Sequence, residues 1–272
     1  MINKIRTVAG IHGVPRSGTS WLGQLINSHP LVAFRFQPLF SYAFKNYLTL
    51  HSTERDINNF FDLMLSSDDY FINMKDPKIH KNYPAFEKDP HSEVLVYKEV
   101  RYHYLVPHLL NEHKTIKFVL LIRNPLSVLT SWAKAPREFK PEWVFGDEWL
   151  RAEKKNQNRA EEYFGFEKWR EAAHLFLECK KNHPDRVQLI SYNDLLQNTD
   201  SLIQHLLGFL GLDFCEQTRS FIEQSRKQNH QDPNSVYKIK VNDLEWKGFI
   251  PENIIKQIHD DLNGTSLAAF LE

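Results

Sequence analysis

The chain has 272 residues, of which 42% are hydrophobic and 25% are charged, so it is long enough and apolar enough to fold around a substantial core. Lysine plus arginine equals aspartate plus glutamate, 34 of each, which leaves no general positive field to attract nucleic acid or anionic lipid. Its two cysteines, Cys179 and Cys215, argue against a disulfide framework and a cysteine-rich zinc site. No stretch approaches the roughly 18 apolar residues that a membrane span needs.

The N-terminal residues lead directly into the first apolar run, so we expect no signal peptide, reduced thiols and a cytoplasmic protein. Neither a linker composition nor an internal repeat interrupts the chain. We therefore predict one domain over residues 1–272. The sequence gives no indication of the oligomeric state.

The most informative stretch is Gly13–Trp21, which reads Gly-Val-Pro-Arg-Ser-Gly-Thr-Ser-Trp. It follows a short apolar run over residues 8–11 that predicts a buried strand, and it precedes apolar residues at helical spacing: Leu22, Leu25 and Ile26. A strand–loop–helix turn of this kind directs backbone N–H groups and the positive end of a helix dipole at one point. We predict an anion-binding site there.

The spacing of this stretch is that of a Walker loop with one change. Gly13 and Gly18 hold the glycine places and Ser20 the hydroxyl place, but Thr19 stands where the lysine belongs. The cation is instead Arg16, inside the loop, which can bind two anionic oxygens with parallel N–H bonds. The predicted anion ligands are the loop amides with Arg16, Ser17, Gly18, Thr19, Ser20 and Trp21, and they suit a phosphate-like group that needs no metal.

Further along the chain, residues 32–39 alternate as a second strand would, residues 40–50 have a helical composition, and residues 51–92 show no strong period. Three more apolar runs predict buried strands, at 94–97, 118–122 and 187–190. Helices are expected at 105–110, after 125, over 169–179, over 202–210 and over about 252–262. Residues 136–165 are charged and aromatic, which fits either a lid over the site or a solvent-facing helical excursion.

Together these elements predict an α/β protein: a three-layer, P-loop-type fold in which helices flank a central, mainly parallel sheet, with helical excursions covering the site. Polar residues follow two of the predicted strands directly, Lys98-Glu99 after the third and Arg123 after the fourth. Open parallel sheets keep their ligand sites at such strand ends. Arg123 is therefore placed to bind a second anion beside the loop.

With these residues in view, the sequence resembles the sulfotransferases that use 3′-phosphoadenylyl sulfate (PAPS). Residues 13–21 look like their phosphosulfate loop, and Arg123 with Ser131 eight residues later looks like their 3′-phosphate motif. Residues 191–196 resemble the segment whose tyrosine, here Tyr192, lies near the adenine. The stretch from Lys238 to Lys247 loosely resembles the C-terminal segment that closes over the nucleotide.

The resemblance implies metal-independent, in-line transfer of a sulfuryl group from PAPS to a hydroxyl or amine, with release of adenosine 3′,5′-bisphosphate (PAP). Arg16 and the loop would stabilise the charge that develops. The acceptor is expected to be a small molecule, a carbohydrate or a lipid. Aromatic residues in 34–50 and 136–169 are candidates for its pocket.

The general base is the point at which the chain departs from the family. Cytosolic members carry histidine where this chain has Val100, and other members carry a glutamate near the position of Gln37. The best remaining candidate is Glu99, with Lys98 assisting the leaving oxygen, and His103 and His80 are in reserve. A structural Glu99 paired with Arg101 is an equally good reading of the same residues.

Two other functions fit parts of the sequence. A P-loop kinase or nucleoside triphosphatase shares the loop, but the missing Walker lysine counts against it. A non-catalytic nucleotide-binding protein would explain the absent base.

Overall fold

The computed structural model describes residues 5–76, 83–227 and 243–271. Over these residues its centre is a five-stranded sheet in the order β2-β3-β1-β4-β5, in which every neighbouring pair is parallel. The strands are β1 (Thr7–His12), β2 (Val32–Phe36), β3 (Val94–Glu99), β4 (Lys117–Ile122) and β5 (Val187–Ser191). The five strands that the apolar runs predict are therefore all present, and β1 occupies the middle of the sheet.

Helices fill the connections between strands, as parallel pairing requires. They are α1 (Thr19–Asn27), α2 (Glu54–Ser66), α3 (Val106–Glu112), α4 (Pro125–Ala133), α5 (Phe145–Glu148), α6 (Glu153–Asn156), α7 (Phe166–Asn182), α8 (Tyr192–Gln197), α9 (Thr199–Leu210), α10 (Glu216–Lys227) and α11 (Glu252–Leu262). Short 3₁₀ helices cover Pro38–Phe40, His103–Leu105, Glu245–Gly248 and Ser266–Phe270. No helix in the described ranges combines the length and the apolar character that crossing a membrane would require.

Two apolar cores lie on opposite faces of the sheet, and β3 contributes to both. Val94 and Val96 pack into the core that α1, α9 and α10 cover. Leu95 and Tyr97 pack into the other core, beneath α2, α4, α7 and α11. Because successive strand residues point to opposite faces, this alternation produces the three-layer α/β architecture that the sequence predicts.

The predicted helix over residues 40–50 is wrong. Residues 40–50 form turns rather than a helix, and Asn46, whose backbone is left-handed (φ 61°), interrupts the one helical turn near Ser41. The helix lies further on, as α2. Thr53 and Asp56 cap it reciprocally through side chain and backbone, a capping box with aspartate in place of the usual glutamate.

Residues 136–165 are attached to the core and contain two one-turn helices, α5 and α6. Their buried aromatic side chains are Phe139, Trp149, Tyr163 and Phe164. The Phe139 ring lies 5.1 Å from that of Trp132 on α4. The prediction of a solvent-facing excursion is therefore wrong for these aromatic residues, and Glu148 and Glu162 are buried as well.

Candidate functional site

The loop between β1 and α1 depends on its two glycines. A Cβ on Gly13 would lie 2.8 Å from the Leu121 carbonyl oxygen, and one on Gly18 would lie 2.4 Å from the Tyr192 ring. Arg16 (φ 74°) and Gly18 (φ 94°) have left-handed backbones, a conformation that glycine adopts at least cost. Gly18 is also the N-cap of α1. The loop thus ends at the first N–H groups of a helix, which lack intrahelical acceptors and suit an anion.

Arg16 and Arg123, the two predicted anion-binding arginines, lie side by side. The Arg123 Nη1 group donates a hydrogen bond of 2.8 Å to the backbone oxygen of Arg16. The Arg16 Nε group donates to the hydroxyl of Ser131 at 3.1 Å. Both arginines and Ser131 therefore meet where β1 and β4 end, in one place as the sequence predicts.

The Arg-Asn-Pro string positions Arg123 at a sharp strand-to-helix junction. The Asn124 side chain accepts the Leu126 N–H at 2.9 Å, and Pro125 occupies the first helical position of α4, where its missing N–H costs nothing. The Trp169 indole N–H donates to the Arg123 carbonyl at 2.9 Å. The Arg123 backbone is therefore held from both sides.

The Arg123 guanidinium is paired with Asp243, a residue that the sequence analysis missed. Its Nε lies 2.8 Å from Asp243 Oδ1, and its Nη2 contacts the same oxygen. Ser127 donates to the Asp243 carbonyl oxygen at 2.7 Å. No local motif connects Arg123 with a residue 120 positions away in the chain, so only the fold brings this carboxylate to the predicted 3′-phosphate site.

Tyr192 lies against both arginine sites. The tyrosine begins α8 directly after β5, and the Ser191 hydroxyl caps that helix by accepting the Asp194 N–H at 3.0 Å. The Arg123 guanidinium lies 4.5 Å over the Tyr192 ring, and the ring edge fills the space beside Gly18. Burial raises the pKa of the phenol, so Tyr192 is a neutral platform beneath Arg123.

Ser17 is turned into the protein. Its N–H donates to the Val14 carbonyl at 3.1 Å. Its hydroxyl has no hydrogen-bond partner in the described structure and lines an internal cavity of about 10 Å³ with Trp169 and Phe176. Both polar groups of Ser17 therefore point away from an anion in front of the loop.

The remaining loop residues divide between the interior and the surface. Thr19 is buried and its methyl group packs near Gly13, while Ser20 is half-buried at the start of α1. The Trp21 indole N–H donates to the Ser225 hydroxyl at 3.3 Å, which ties α1 to α10. Trp21 thus has a structural partner in addition to its predicted place in the donor site.

Lys98 and Glu99 lie on opposite faces of the sheet. The Lys98 ammonium lies 4.4 Å over the Phe36 ring, on the α1 side, and burial lowers its pKa to about 7. Glu99 faces the other core and is 0% exposed. Its Oε1 accepts the Leu39 N–H at 2.7 Å, and burial raises its pKa to about 8. At neutral pH the Glu99 carboxyl is therefore mostly protonated.

His103 lies with Glu99 behind the sheet rather than in front of the loop. Its Nδ1 is 3.0 Å from Nδ1 of His12, and both rings are buried. Burial lowers the pKa of His12 to about 3 and that of His103 well below its ordinary value. The pair is a neutral donor and acceptor inside the core, and this position counts against His103 as a base. The sequence analysis did not single out His12.

Arg101 pairs with Glu162 instead of Glu99. The Arg101 Nε lies 3.0 Å from Glu162 Oε1, and its Nη1 donates to the Gln37 side chain at 3.3 Å. The expected Glu99–Arg101 pair is therefore replaced by a contact with the 136–165 segment. The predicted site residues Lys238 and His80 lie outside the described residues.

Comparisons with known proteins bear on the family and on the fold. A family model described as "Sulfotransferase domain" matches residues 9–270. Mouse sulfotransferase SULT7A1 complexed with PAP shares 14% identity, with a TM-score of 0.56 over 98% of this chain and 89% of that one. Retinol dehydratase in complex with retinol and PAP shares 17%, with a TM-score of 0.57 over 97% and 83%. A sulfotransferase domain from the curacin biosynthetic pathway shares 15%, with a TM-score of 0.55 over 95% and 98%. No curated protein sequence matches the chain significantly; the structural matches show a shared fold.

Proposed function

The chain belongs to the sulfotransferase domain family, and from that premise we propose that it transfers the sulfuryl group of PAPS to a hydroxyl or amine of an acceptor. The observation that carries the proposal is the direct contact between Arg123 and the backbone of Arg16. PAPS has two anionic ends, and two adjacent arginine sites suit one nucleotide that bridges them. A single-anion P-loop would need only the first site.

In this proposal the loop and the start of α1 bind the 5′-phosphosulfate. Arg16 and the N–H groups of residues 18–20 surround the position of that anion, and Ser131 holds the Arg16 side chain. Arg123 binds the 3′-phosphate with its planar guanidinium, supported from below by Tyr192. The Asp243 carboxylate must give up this guanidinium, or share it, when the phosphate arrives.

The transfer conserves atoms and charge as follows. The acceptor oxygen or nitrogen attacks sulfur and gives up its proton to water, the bond between sulfur and the bridging oxygen breaks, and PAP leaves with the electron pair. Negative charge grows on the bridging oxygen, and fixed donors near it lower the barrier. Lys98 is the cation we assign to this oxygen, because it is buried on the α1 side of β3 and a nearby anion favours its protonated form.

In this proposal the acceptor proton does not pass to Glu99. A protonated carboxyl tied to the Leu39 N–H on the far face of the sheet is a structural group. We therefore propose that Glu99 supports the Pro38–Phe40 turn. Turnover of a Glu99→Gln variant tests the predicted role of Glu99 as the base.

The test of the function uses binding and transfer together. PAP at about 100 times its dissociation constant should stabilise the protein by about 2.7 kcal/mol in thermal unfolding, with or without Mg²⁺. A shift produced by ATP with Mg²⁺ and not by PAP would overturn the proposal in favour of a kinase. A PAPS-dependent mass increase of one sulfuryl group on an acceptor would establish transfer, and PAP binding without any transfer would leave a nucleotide-binding protein.

A further inference from the structure

A basic recess lies in the 136–165 segment, and the donor site does not use it. Its volume is about 190 Å³. Five cations line it against one carboxylate: Arg137, Lys140, Lys154, Lys155 and Arg159 against Glu138. Trp143 adds an aromatic face. This local excess of positive charge contrasts with a chain whose formal net charge is zero.

Neighbouring carboxylates compensate only part of this charge. Lys155 contacts Glu138. Lys154 lies 3.7 Å from Glu148, and Arg159 lies 3.5 Å from Glu162. Three carboxylates thus offset three of the five cations. Within the described ranges, Arg137 and Lys140 have no carboxylate at ion-pair distance, and both are exposed.

The recess is connected to the strand ends on the side of the sheet away from Arg123. Glu162 Oε1 contacts Arg159 from the recess and also Arg101, which follows β3 by two residues. Arg101 in turn reaches Gln37 after β2 and lies 4.1 Å over the Phe40 ring. In the strand order β2-β3-β1-β4-β5, these contacts connect the Arg159 side of the recess to the ends of β2 and β3, while the arginine pair for the donor lies at the ends of β1 and β4.

Glu138 of the recess also acts on Lys98. Burial has the largest effect on the pKa of Lys98 and lowers it, whereas the charge of Glu138 raises it. Glu138 is also bound to Lys155 inside the recess. Glu138 therefore belongs to the recess and also acts on the lysine at the end of β3.

We propose that the recess binds the anionic group of the acceptor, so that the substrate of this enzyme is a hydroxyl or amine compound that also carries a carboxylate, sulfate or phosphate. This inference rests on the proposed function for its chemistry. Two exposed cations without carboxylate partners supply attraction, and Trp143 offers an apolar face to the carbon skeleton of the same molecule.

Three phenols that differ in one group test this inference. They are 3-(4-hydroxyphenyl)propanoate, its methyl ester and 2-(4-hydroxyphenyl)ethylphosphonate, used as acceptors with PAPS and, separately, as ligands of the PAP-loaded protein in ligand-observed NMR. We expect the wild-type chain to prefer both anions over the ester. The Arg137→Ala/Lys140→Ala double variant should lose about 5- to 10-fold in kcat/KM and in affinity for the anions, and nothing for the ester.

The matched control is Lys227→Ala/Lys256→Ala, which removes the same net charge from exposed positions on α10 and α11. It should leave the preference unchanged, and added salt should reduce the preference of the wild type. Equal use and equal binding of the three phenols by the wild type would overturn the inference, as would equal losses for anions and ester in the double variant. Loss for one anion alone would assign the recess to carboxylate or to phosphonate.

Failure of the inference and failure of the proposed function give different results. If PAP does not stabilise the protein, the proposed function fails whatever the phenols do. If PAP binds but no phenol is sulfonated, the NMR affinities alone decide whether the recess prefers anions. A variant that unfolds would show itself by losing the PAP-dependent thermal shift, and the single variants Arg137→Gln and Lys140→Gln would replace it.

Discussion

The ends of β1 and β4 and the ends of β2 and β3 lie at the same edge of one sheet, yet they are constructed differently. At β1 and β4, short strings of sequence bring arginines, a helix start and backbone N–H groups into direct contact. At β2 and β3, Lys98 lies over the ring of Phe36 on the neighbouring strand, and Arg101 pairs with Glu162 from a distant, irregular segment. The first region is built from local motifs, and the second depends in part on residues 136–165.

Under the proposed function, the first region binds the donor and the second region lies on the acceptor side. A donor common to many enzymes needs a fixed site made from local motifs, whereas the acceptor region can vary through a long connection. Substitutions in both regions test this contrast.

Replacing Gly18 with Ala should have the largest effect, because it adds a side chain at a crowded position in the loop between β1 and α1. A Cβ would lie 2.4 Å from the Tyr192 ring on a backbone with φ 94°, so we expect a loss of about 2–4 kcal/mol in the free energy of unfolding and loss of PAP binding. Urea unfolding measures the first and thermal shift the second. Gly208→Ala is the control, since its Cβ meets nothing within 4 Å and should stabilise α9 slightly.

Arg123→Ala should weaken PAP binding about 100-fold, because two charge-assisted hydrogen bonds to the 3′-phosphate would be lost. Isothermal titration with PAP measures this change. Lys134→Ala, which removes a surface ion pair with Glu245 at 2.8 Å, should change the affinity less than threefold. Equal effects of the two variants would contradict the assignment of Arg123 and remove the contrast between the regions.

The buried His12–His103 pair should make the protein less stable in mild acid. Both histidines stay neutral in the folded chain, since burial lowers the pKa of His12 to about 3 and holds that of His103 well below its ordinary value. The unfolded chain binds protons below its ordinary histidine pKa of about 6.5, so stability falls as pH drops below that value. At pH 5 the loss that comes from His12 should be about 2 kcal/mol, and His103 adds to it in the same direction.

Glu99 has the opposite effect on how stability changes with pH. Between about pH 4.5 and 8 its raised pKa lets the folded chain keep a proton that the unfolded chain has released, so this group adds stability as the pH falls. The measurement therefore compares the urea stability of the wild type with that of His12→Gln between pH 7.5 and 5. The variant should show the shallower loss toward acid. Identical pH slopes would mean that His12 is protonated in the folded protein.

Asp243→Asn should tighten PAP binding by up to about tenfold. The carboxylate holds the guanidinium that we assign to the 3′-phosphate, and an amide competes with that phosphate less strongly while keeping the side-chain shape. Titration of the variant with PAP measures the gain. Weaker binding would show instead that Asp243 orients Arg123 for the nucleotide.

Glu99→Gln should have the smallest effect on turnover at pH 7, within about threefold of the wild type, because a buried protonated carboxyl and an amide offer Leu39 the same acceptor. A PAPS-dependent assay with any competent acceptor decides this. Abolished turnover with unchanged PAP binding would restore Glu99 as the base. It would also mean that the far face of β3 takes part in the reaction.

Much of the donor region could be predicted from the sequence because its signals are local. The glycine spacing, the arginine within the loop and the Arg-Asn-Pro junction each act over a few residues, and the structure places Arg16, Arg123 and Ser131 together. Asp243 could not be predicted, since its contact with Arg123 spans 120 positions in the chain. The hydroxyl of Ser17 was assigned to the anion from spacing alone, yet it faces the interior.

The residues at the ends of β2 and β3 were harder to predict, because burial and the alternation of strand residues decide which way their side chains point. Adjacent residues such as Lys98 and Glu99 read as one polar cluster in the sequence, but the pleat of β3 sends them to opposite faces. The capping box of α2 was readable at Thr53 and Asp56 and was missed because aspartate replaces the expected glutamate. The pairing of Arg101 with Glu162 follows only from tertiary structure.

The hydrogen bond from the Trp169 indole to the Arg123 carbonyl gives this protein an optical reporter at its centre. Indole emission responds to the field and to the hydrogen bond around the ring, and Trp169 is 2% exposed, so bulk solvent contributes little to its signal. A nucleotide that draws on the Arg123 guanidinium would act within one residue of that bond. Stopped-flow fluorescence with a Trp169→Phe reference could then time donor entry without any label.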